Sequence, residues 1–121
     1  MRTTVQDFEK FTNEVNYWVK TLGINGWKYY FKHQKLTDAR ASCSIDLTAR
    51  VATFFLNKNF SDKFTDVDIC SSAKHEALHL LVGRLDCVAR HRYINESETN
   101  EAVEELIRSL EKIIDPGGKG T

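Results

Sequence analysis

The sequence predicts a single α+β domain, and three observations indicate this. Residues 4–22 carry apolar side chains at helical spacing, three β-prone segments follow, and two helical segments come after them. A chain of 121 residues can bury one hydrophobic core, but it is too short for a catalytic domain with a separate substrate domain. We expect residues 1–115 to form this domain and residues 116–121 to be a flexible tail.

The first half of the chain predicts one helix and three strands. The apolar stripe of the helix consists of Val5, Phe8, Phe11, Val15, Trp18, Val19 and Leu22. The aromatic segment W-K-Y-Y-F-K-H, residues 27–33, follows the turn signal I-N-G and predicts a first strand. Residues 41–47 and 50–56 are β-prone and separated by only T-A, which predicts a hairpin. We therefore expect a small three-stranded, mainly antiparallel sheet.

The second half predicts two helices joined by a polar connector. Residues 69–88 form the first, with Asp66 or Asp68 as its N-cap. Because its apolar residues fall on more than one face, we expect this helix to be largely buried. The final helix covers about residues 97–114, so the element order is α-β-β-β-α-α.

Composition limits the classes of partner. The 17 Lys and Arg residues balance 17 Asp and Glu residues, so the whole chain offers no long-range attraction to nucleic acid, and we expect no nucleic-acid partner. The N-terminus has no stretch resembling a signal peptide, and no run approaches the ~20 apolar residues of a membrane span. Cys43, Cys70 and Cys87 lack C-x-x-C spacing, which is typical of free, buried thiols. We expect a cytoplasmic protein, and no feature indicates its oligomeric state.

Residues 75–79 read H-E-A-L-H and predict a metal site. On a helix, residues i and i+4 lie about 40° apart around the axis, so His75 and His79 can bind one metal. Glu76 lies about 100° from His75, where it can act as general base on a water molecule. Random ordering of this composition would give about 0.01 such motifs. Burial of all three side chains would be costly without partners, and a metal would satisfy them.

A catalytic zinc site also needs a third protein ligand. H-E-A-L-H followed by N-E-A-V-E-E at residues 100–105 resembles the gluzincin zinc peptidases of the thermolysin type, in which a second helix supplies a glutamate ligand. The resemblance implies a minimal zincin-like domain, one Zn²⁺ per chain, Glu101 as third ligand and Glu105 as outer partner of a ligand histidine. The chain is also similar to small predicted metallopeptidases of phages and bacteria, and a phage protein would act in the host cytoplasm.

Two assignments leave alternatives open. Spacing favours Glu101 as the ligand, whereas helical phase places Glu98 and Glu105 nearer the apolar stripe. The gluzincin groups that stabilise the oxyanion lie in a large C-terminal subdomain, for which this short chain has little room. His91 and Tyr93 could donate hydrogen bonds instead, although their segment reads equally well as a polar connector.

The expected function is zinc-dependent hydrolysis of peptide bonds, with Glu76 as general base and a peptide or protein as substrate. By the resemblance, the peptide would lie extended along the sheet edge, for which residues 50–56 are the candidate. The main alternative is a zincin-fold binding or regulatory module with metal but little turnover, acting for example on a host partner. An SprT-like protease is a further alternative, but it lacks support from a zinc ribbon or a strongly basic stretch, and a metal-free helical scaffold leaves the motif unexplained.

Overall fold

The part of the chain that the structure describes forms three helices and a three-stranded sheet in the expected order. The computed structural model describes residues 2–60, 63–90 and 95–111. The helices are α1 (Val5–Thr21), α2 (Asp66–Arg90) and α3 (Glu96–Glu111), and the strands are β1 (Lys28–Gln34), β2 (Ala41–Asp46) and β3 (Val51–Asn57). This α+β architecture is consistent with the minimal zincin-like domain expected from the sequence. None of the described helices is long and apolar enough to cross a membrane.

Helix α1 forms where the apolar spacing predicts it. The Thr4 hydroxyl accepts a hydrogen bond from the Asp7 backbone N–H at 3.1 Å, and the Thr4 N–H donates to the Asp7 carboxylate at 2.8 Å. This reciprocal pair satisfies two donors at the helix start. After the helix, Gly23 adopts a φ of 68°, a conformation that glycine reaches without a steric penalty. The buried residues of α1 are Phe11, Val15 and Val19.

The sheet has the strand order β1-β3-β2, and β3 pairs parallel with β1 and antiparallel with β2. The sheet is therefore mixed, where the sequence predicted a mainly antiparallel one. The physical reason is that β3 takes the centre, since three of its side chains are fully buried: Ala52, Phe54 and Leu56. Residues 35–40 carry the chain from the end of β1 past the end of β3 to β2, so β1 and β3 run in the same direction.

The β2–β3 hairpin is confirmed, with a turn at residues 47–50. The Asp46 carboxylate accepts a hydrogen bond from the Ala49 N–H at 3.0 Å, and Arg50 adopts a φ of 57°. The hairpin leaves β2 at an edge of the sheet and β3 flanked on both sides. The prediction that residues 50–56 form the edge for a peptide is therefore wrong, because that strand already pairs with two neighbours.

Helix α2 begins at Asp66, three residues before the predicted start. The Thr65 N–H donates to the Asp68 carboxylate at 2.9 Å, and the Asp68 N–H donates to the Thr65 hydroxyl at 3.3 Å. Thr65 is thus the N-cap, and the prediction of Asp66 or Asp68 is wrong. The hydrogen bond from the Thr65 backbone N–H, followed by one that the Thr65 hydroxyl donates to the same carboxylate at 2.9 Å, lowers the pKa of the Asp68 carboxyl.

The core lies between one face of the sheet and the helices α1 and α2. Its fully buried large side chains are Phe11, Val15, Leu22, Phe54, Leu56, Phe64 and Ile69. One polar residue joins them, because the side chain of Asn57 at the end of β3 is 1% exposed and hydrogen-bonds to the segment that leads into β2. The three cysteines are free and partly rather than fully buried.

Candidate metal centre

His75 and His79 converge on one point beside helix α2. Their Nε2 atoms lie 3.1 Å apart, and their ring centroids are separated by 4.7 Å. Two imidazole nitrogens that bind one tetrahedral zinc at about 2.0–2.1 Å would lie about 3.3 Å apart. The histidine pair therefore has the separation of two ligands of a single metal ion. This geometry follows from the i, i+4 spacing on an unbroken helix.

The burial of the motif differs from the expectation. His75 and His79 are exposed, whereas Glu76 is only 7% exposed. The reason is that α2 buries a single stripe, which consists of Ile69, Ala73, Glu76, Ala77, Leu80, Gly83 and Val88. The histidines lie beside this stripe and reach solvent, so the cost of burial applies to the carboxylate alone.

The Glu76 carboxylate has the environment of a general base. Burial raises the pKa of its carboxyl, and the neighbouring His75 and His79 partly oppose that rise. Within the described residues it has no hydrogen-bond partner, and no fully buried side-chain oxygen or nitrogen there is left unsatisfied. The carboxylate oxygens therefore reach the solvent of the groove. A base whose pKa is raised toward neutrality takes and returns protons more readily.

The three residues line a groove between α2 and the edge strand β2. A cavity of about 760 Å³ contains all three together with Cys43, Ile45, Gly83 and other side chains of these two elements. A second cavity of about 430 Å³ shares Ala41, His75 and Glu76 with it and extends toward Arg40 and Phe60. The groove thus continues on both sides of the histidine pair. A peptide-sized ligand could lie along it.

Gly83 permits the close approach of α2 and β2. A Cβ atom at this position would lie 2.6 Å from the Ile45 Cδ1. The Cys43 thiol also lies in this interface, where burial, followed by the negative charge of Glu76, raises its pKa to about 12. We did not predict the contact of Gly83 with Ile45 from the sequence, although a glycine inside a long helix indicates close approach of another element.

The predicted third ligand lies elsewhere. The Glu101 Oε1 accepts a hydrogen bond from Arg84 Nη2 at 2.6 Å, and the Glu105 Oε2 accepts one from Arg84 Nη1 at 2.7 Å. The ion pair with Arg84 lowers the pKa of the Glu101 carboxyl. Glu98 lies in the first turn of α3, where its Oε1 accepts a hydrogen bond from the Asn95 Nδ2 at 3.3 Å, and Asn95 caps the helix by accepting from the Glu98 N–H at 2.8 Å. The structure therefore does not bring Glu101, Glu105 or Glu98 to the histidine pair.

His91 and Tyr93, the candidate oxyanion donors, lie outside the described residues. Arg84 has a side chain that is only 20% exposed, and it bridges α2 to α3. The signal for this bridge was the i, i+4 pair of glutamates, because such a pair presents two carboxylates to one neighbouring helix.

The donor set fits a zinc ion in part. The two Nε2 atoms supply two ligands with suitable separation. Within residues 2–60, 63–90 and 95–111, no group of three or more His, Cys, Asp or Glu side chains could hold a metal ion. The structure thus presents a preformed two-histidine pair, to which a third ligand has to be added.

Comparisons with known proteins show a distant likeness to a solved structure. No protein-family model matches the chain, and no curated protein matches it. Among solved structures, it is similar to the metallopeptidase zymogen jannalysin of Methanocaldococcus jannaschii, with 20% sequence identity and a TM-score of 0.46. The alignment covers 84% of this chain and 90% of that one. A likeness of fold does not by itself imply a shared activity.

Proposed function

We propose that the protein is a zinc-dependent metallopeptidase whose site is formed by His75, Glu76 and His79. The observation that carries the proposal is the 3.1 Å separation of the two Nε2 atoms beside a buried carboxylate in an open groove. Two converging imidazoles suit zinc, and the adjacent carboxylate suits a general base. All three come from a single helical turn, so their relative positions depend on no distant contact.

The groove suggests how a peptide would be held. On the side away from β3, strand β2 has no strand partner among the described residues, and its residues line the groove together with the histidines. An extended peptide can add to such an edge through main-chain hydrogen bonds. This would place the scissile carbonyl next to Glu76. The edge strand β2 thus replaces residues 50–56 in the role assigned to them from the sequence.

The chemistry then depends on proton transfer by Glu76. Bound zinc would supply Lewis-acid polarisation of the carbonyl group and of water. The Glu76 carboxylate takes a proton from the attacking water and gives it to the nitrogen of the leaving amine. His75 and His79 hold the metal, and their exposure leaves room for the substrate. Glu101 remains the proposed third ligand, and Glu105 the proposed acceptor for a ligand histidine.

A binding or regulatory module with metal and little turnover is the second candidate. It is favoured by the pairing of Glu101 and Glu105 with Arg84, which leaves the described ligand set at two histidines. The Glu76 carboxylate argues against it, because a metal that only stabilises a structure needs no general base. The two candidates differ in turnover and agree on metal binding.

Zinc content and peptide cleavage test the proposal together. Elemental analysis should give one zinc per chain for the wild type, and the double variant H75A/H79A should lose it. Glu76→Gln should retain zinc but cleave a quenched peptide library at least about a hundredfold more slowly, since it cannot take a proton. Glu104→Gln, the same change at an exposed glutamate of α3, should cleave like the wild type.

The possible results separate the candidates. Zinc binding without cleavage by the wild type would favour the binding module. Equal zinc content in the wild type and the double histidine variant would refute the site itself.

A further inference from the structure

Arg84 links helix α2 to two carboxylates of helix α3 at once. Its Nη2 lies 2.6 Å from the Glu101 Oε1, and its Nη1 lies 2.7 Å from the Glu105 Oε2. The Arg84 side chain is 20% exposed, while those of Glu101 and Glu105 are 63% and 46% exposed. A guanidinium has a planar fork of donors and can hold two carboxylates in this way, which an ammonium group cannot reproduce.

The bridge lies on a different side of α2 from the histidine pair. Arg84 follows His79 by five residues, which on a helix corresponds to about 140° around the axis and about 7.5 Å along it. Arg84 and Glu105 line a separate cavity of about 410 Å³ together with Leu81 and Leu106. The groove with His75 and His79 contains neither of them. The two ion pairs thus hold the carboxylates of α3 away from the histidines.

The two carboxylates are not equivalent for the bridge. If Glu101 leaves, Arg84 keeps Glu105 as an ionic partner, so the partly buried guanidinium is not left without a counter-charge. Release of Glu101 alone therefore costs less than separation of the two helices. The second glutamate thus lowers the electrostatic cost of releasing Glu101 from Arg84.

We propose that Arg84 is a positioning residue that withholds Glu101 from the histidine pair and thereby sets the affinity of the site for zinc. The inference rests on the proposed function, because it takes Glu101 as the third ligand. Zinc binding by His75, His79 and Glu101 requires Glu101 to leave Arg84. Each contact that holds Glu101 on Arg84 then opposes metal binding.

Zinc affinity measured by competition with a chromophoric chelator tests this role without any assay of activity. Arg84→Gln removes the charge, and the variant should bind zinc about three- to tenfold more tightly, the range provided by a partly screened charge-assisted hydrogen bond. A residue that merely stabilised the fold would instead leave the affinity unchanged or lower it. Arg108→Gln is the control, because Arg108 carries the same charge near Glu101 without hydrogen-bonding to it.

Two further variants keep the test decisive. Arg84→Lys preserves the charge and the aliphatic stem, but its ammonium cannot form the same fork, so it should also tighten binding if Arg84→Gln does not fold. In a Glu101→Gln background, substitution of Arg84 should give no tightening, since the withheld ligand is gone.

The outcomes distinguish this inference from the proposed function. If the wild type binds no zinc, the proposed function fails. If the wild type binds zinc and the folded Arg84 variants bind it no more tightly, only the role of Arg84 is overturned. Tightening that persists in the Glu101→Gln background would also overturn it.

Discussion

Asn57 offers the sharpest test of how the fold holds the groove. Its Oδ1 accepts hydrogen bonds from the backbone N–H groups of Leu36 and Asn59, both at 3.0 Å. Its Nδ2 donates to the carbonyls of Leu36 at 3.2 Å and Ala39 at 2.8 Å. These bonds use the full capacity of the amide and fix residues 35–40, which deliver β2 to the edge of the groove.

The substitution Asn57→Asp keeps the shape and removes both donors. Each lost hydrogen bond costs about 1 kcal/mol, and the new oxygen also faces two carbonyl oxygens at a site that is 1% exposed. We expect a loss of about 3 kcal/mol in the free energy of unfolding. For a domain of this size that corresponds to a fall of about 12 °C in Tm.

Thermal and urea denaturation at pH 7 measure the effect. Asn59→Asp is the matched control, since Asn59 is exposed and the same change there should shift the Tm by little. Hydrogen exchange of the Leu36 amide should quicken in Asn57→Asp, because its acceptor is held less firmly. Zinc binding should persist, as His75 and His79 depend on α2 alone. Equal midpoints for the two variants would refute the reasoning.

Two further predictions concern the interface of α2 with β2. Gly83→Ala should lower the free energy of unfolding, measured by denaturation, by about 1 kcal/mol, because its Cβ would meet the Ile45 Cδ1. Adding Ile45→Val should restore most of this loss, since it removes that atom. Additive losses in the double variant would contradict this contact. Cys43 should react with iodoacetamide at pH 8.5 about a thousandfold more slowly than in the unfolded chain, since burial raises its pKa to about 12 and the thiolate is the reactive form. The pKa of Cys43 is higher in the folded than in the unfolded protein, so its contribution to stability is constant at lower pH and is lost as pH rises from about 9 toward 12. Peptide mapping that found equal rates of reaction with iodoacetamide in the folded and unfolded protein would exclude the buried position.

The helices and strands could be predicted from local sequence patterns, because each element depends on residues that are neighbours in the chain. The stripe of Phe11, Val15 and Val19 marks the buried face of α1, and these residues are buried. The order of the strands could not be read in the same way. The strand order depends on which strand lies in the centre with a neighbour on each side. That strand is β3, whose side chains Ala52, Phe54 and Leu56 are fully buried.

The same distinction between local and tertiary effects holds for the candidate site. The sequence by itself determined that His75 and His79 converge, because the hydrogen bonds of one helix set their i, i+4 spacing. The tertiary structure alone decided that Glu76 is buried while the histidines are exposed, since this depends on where the sheet and α1 cover α2. It also decided that Glu101 meets Arg84, because the contact between α2 and α3 depends on packing and on ion pairs between residues 17 positions apart in the chain.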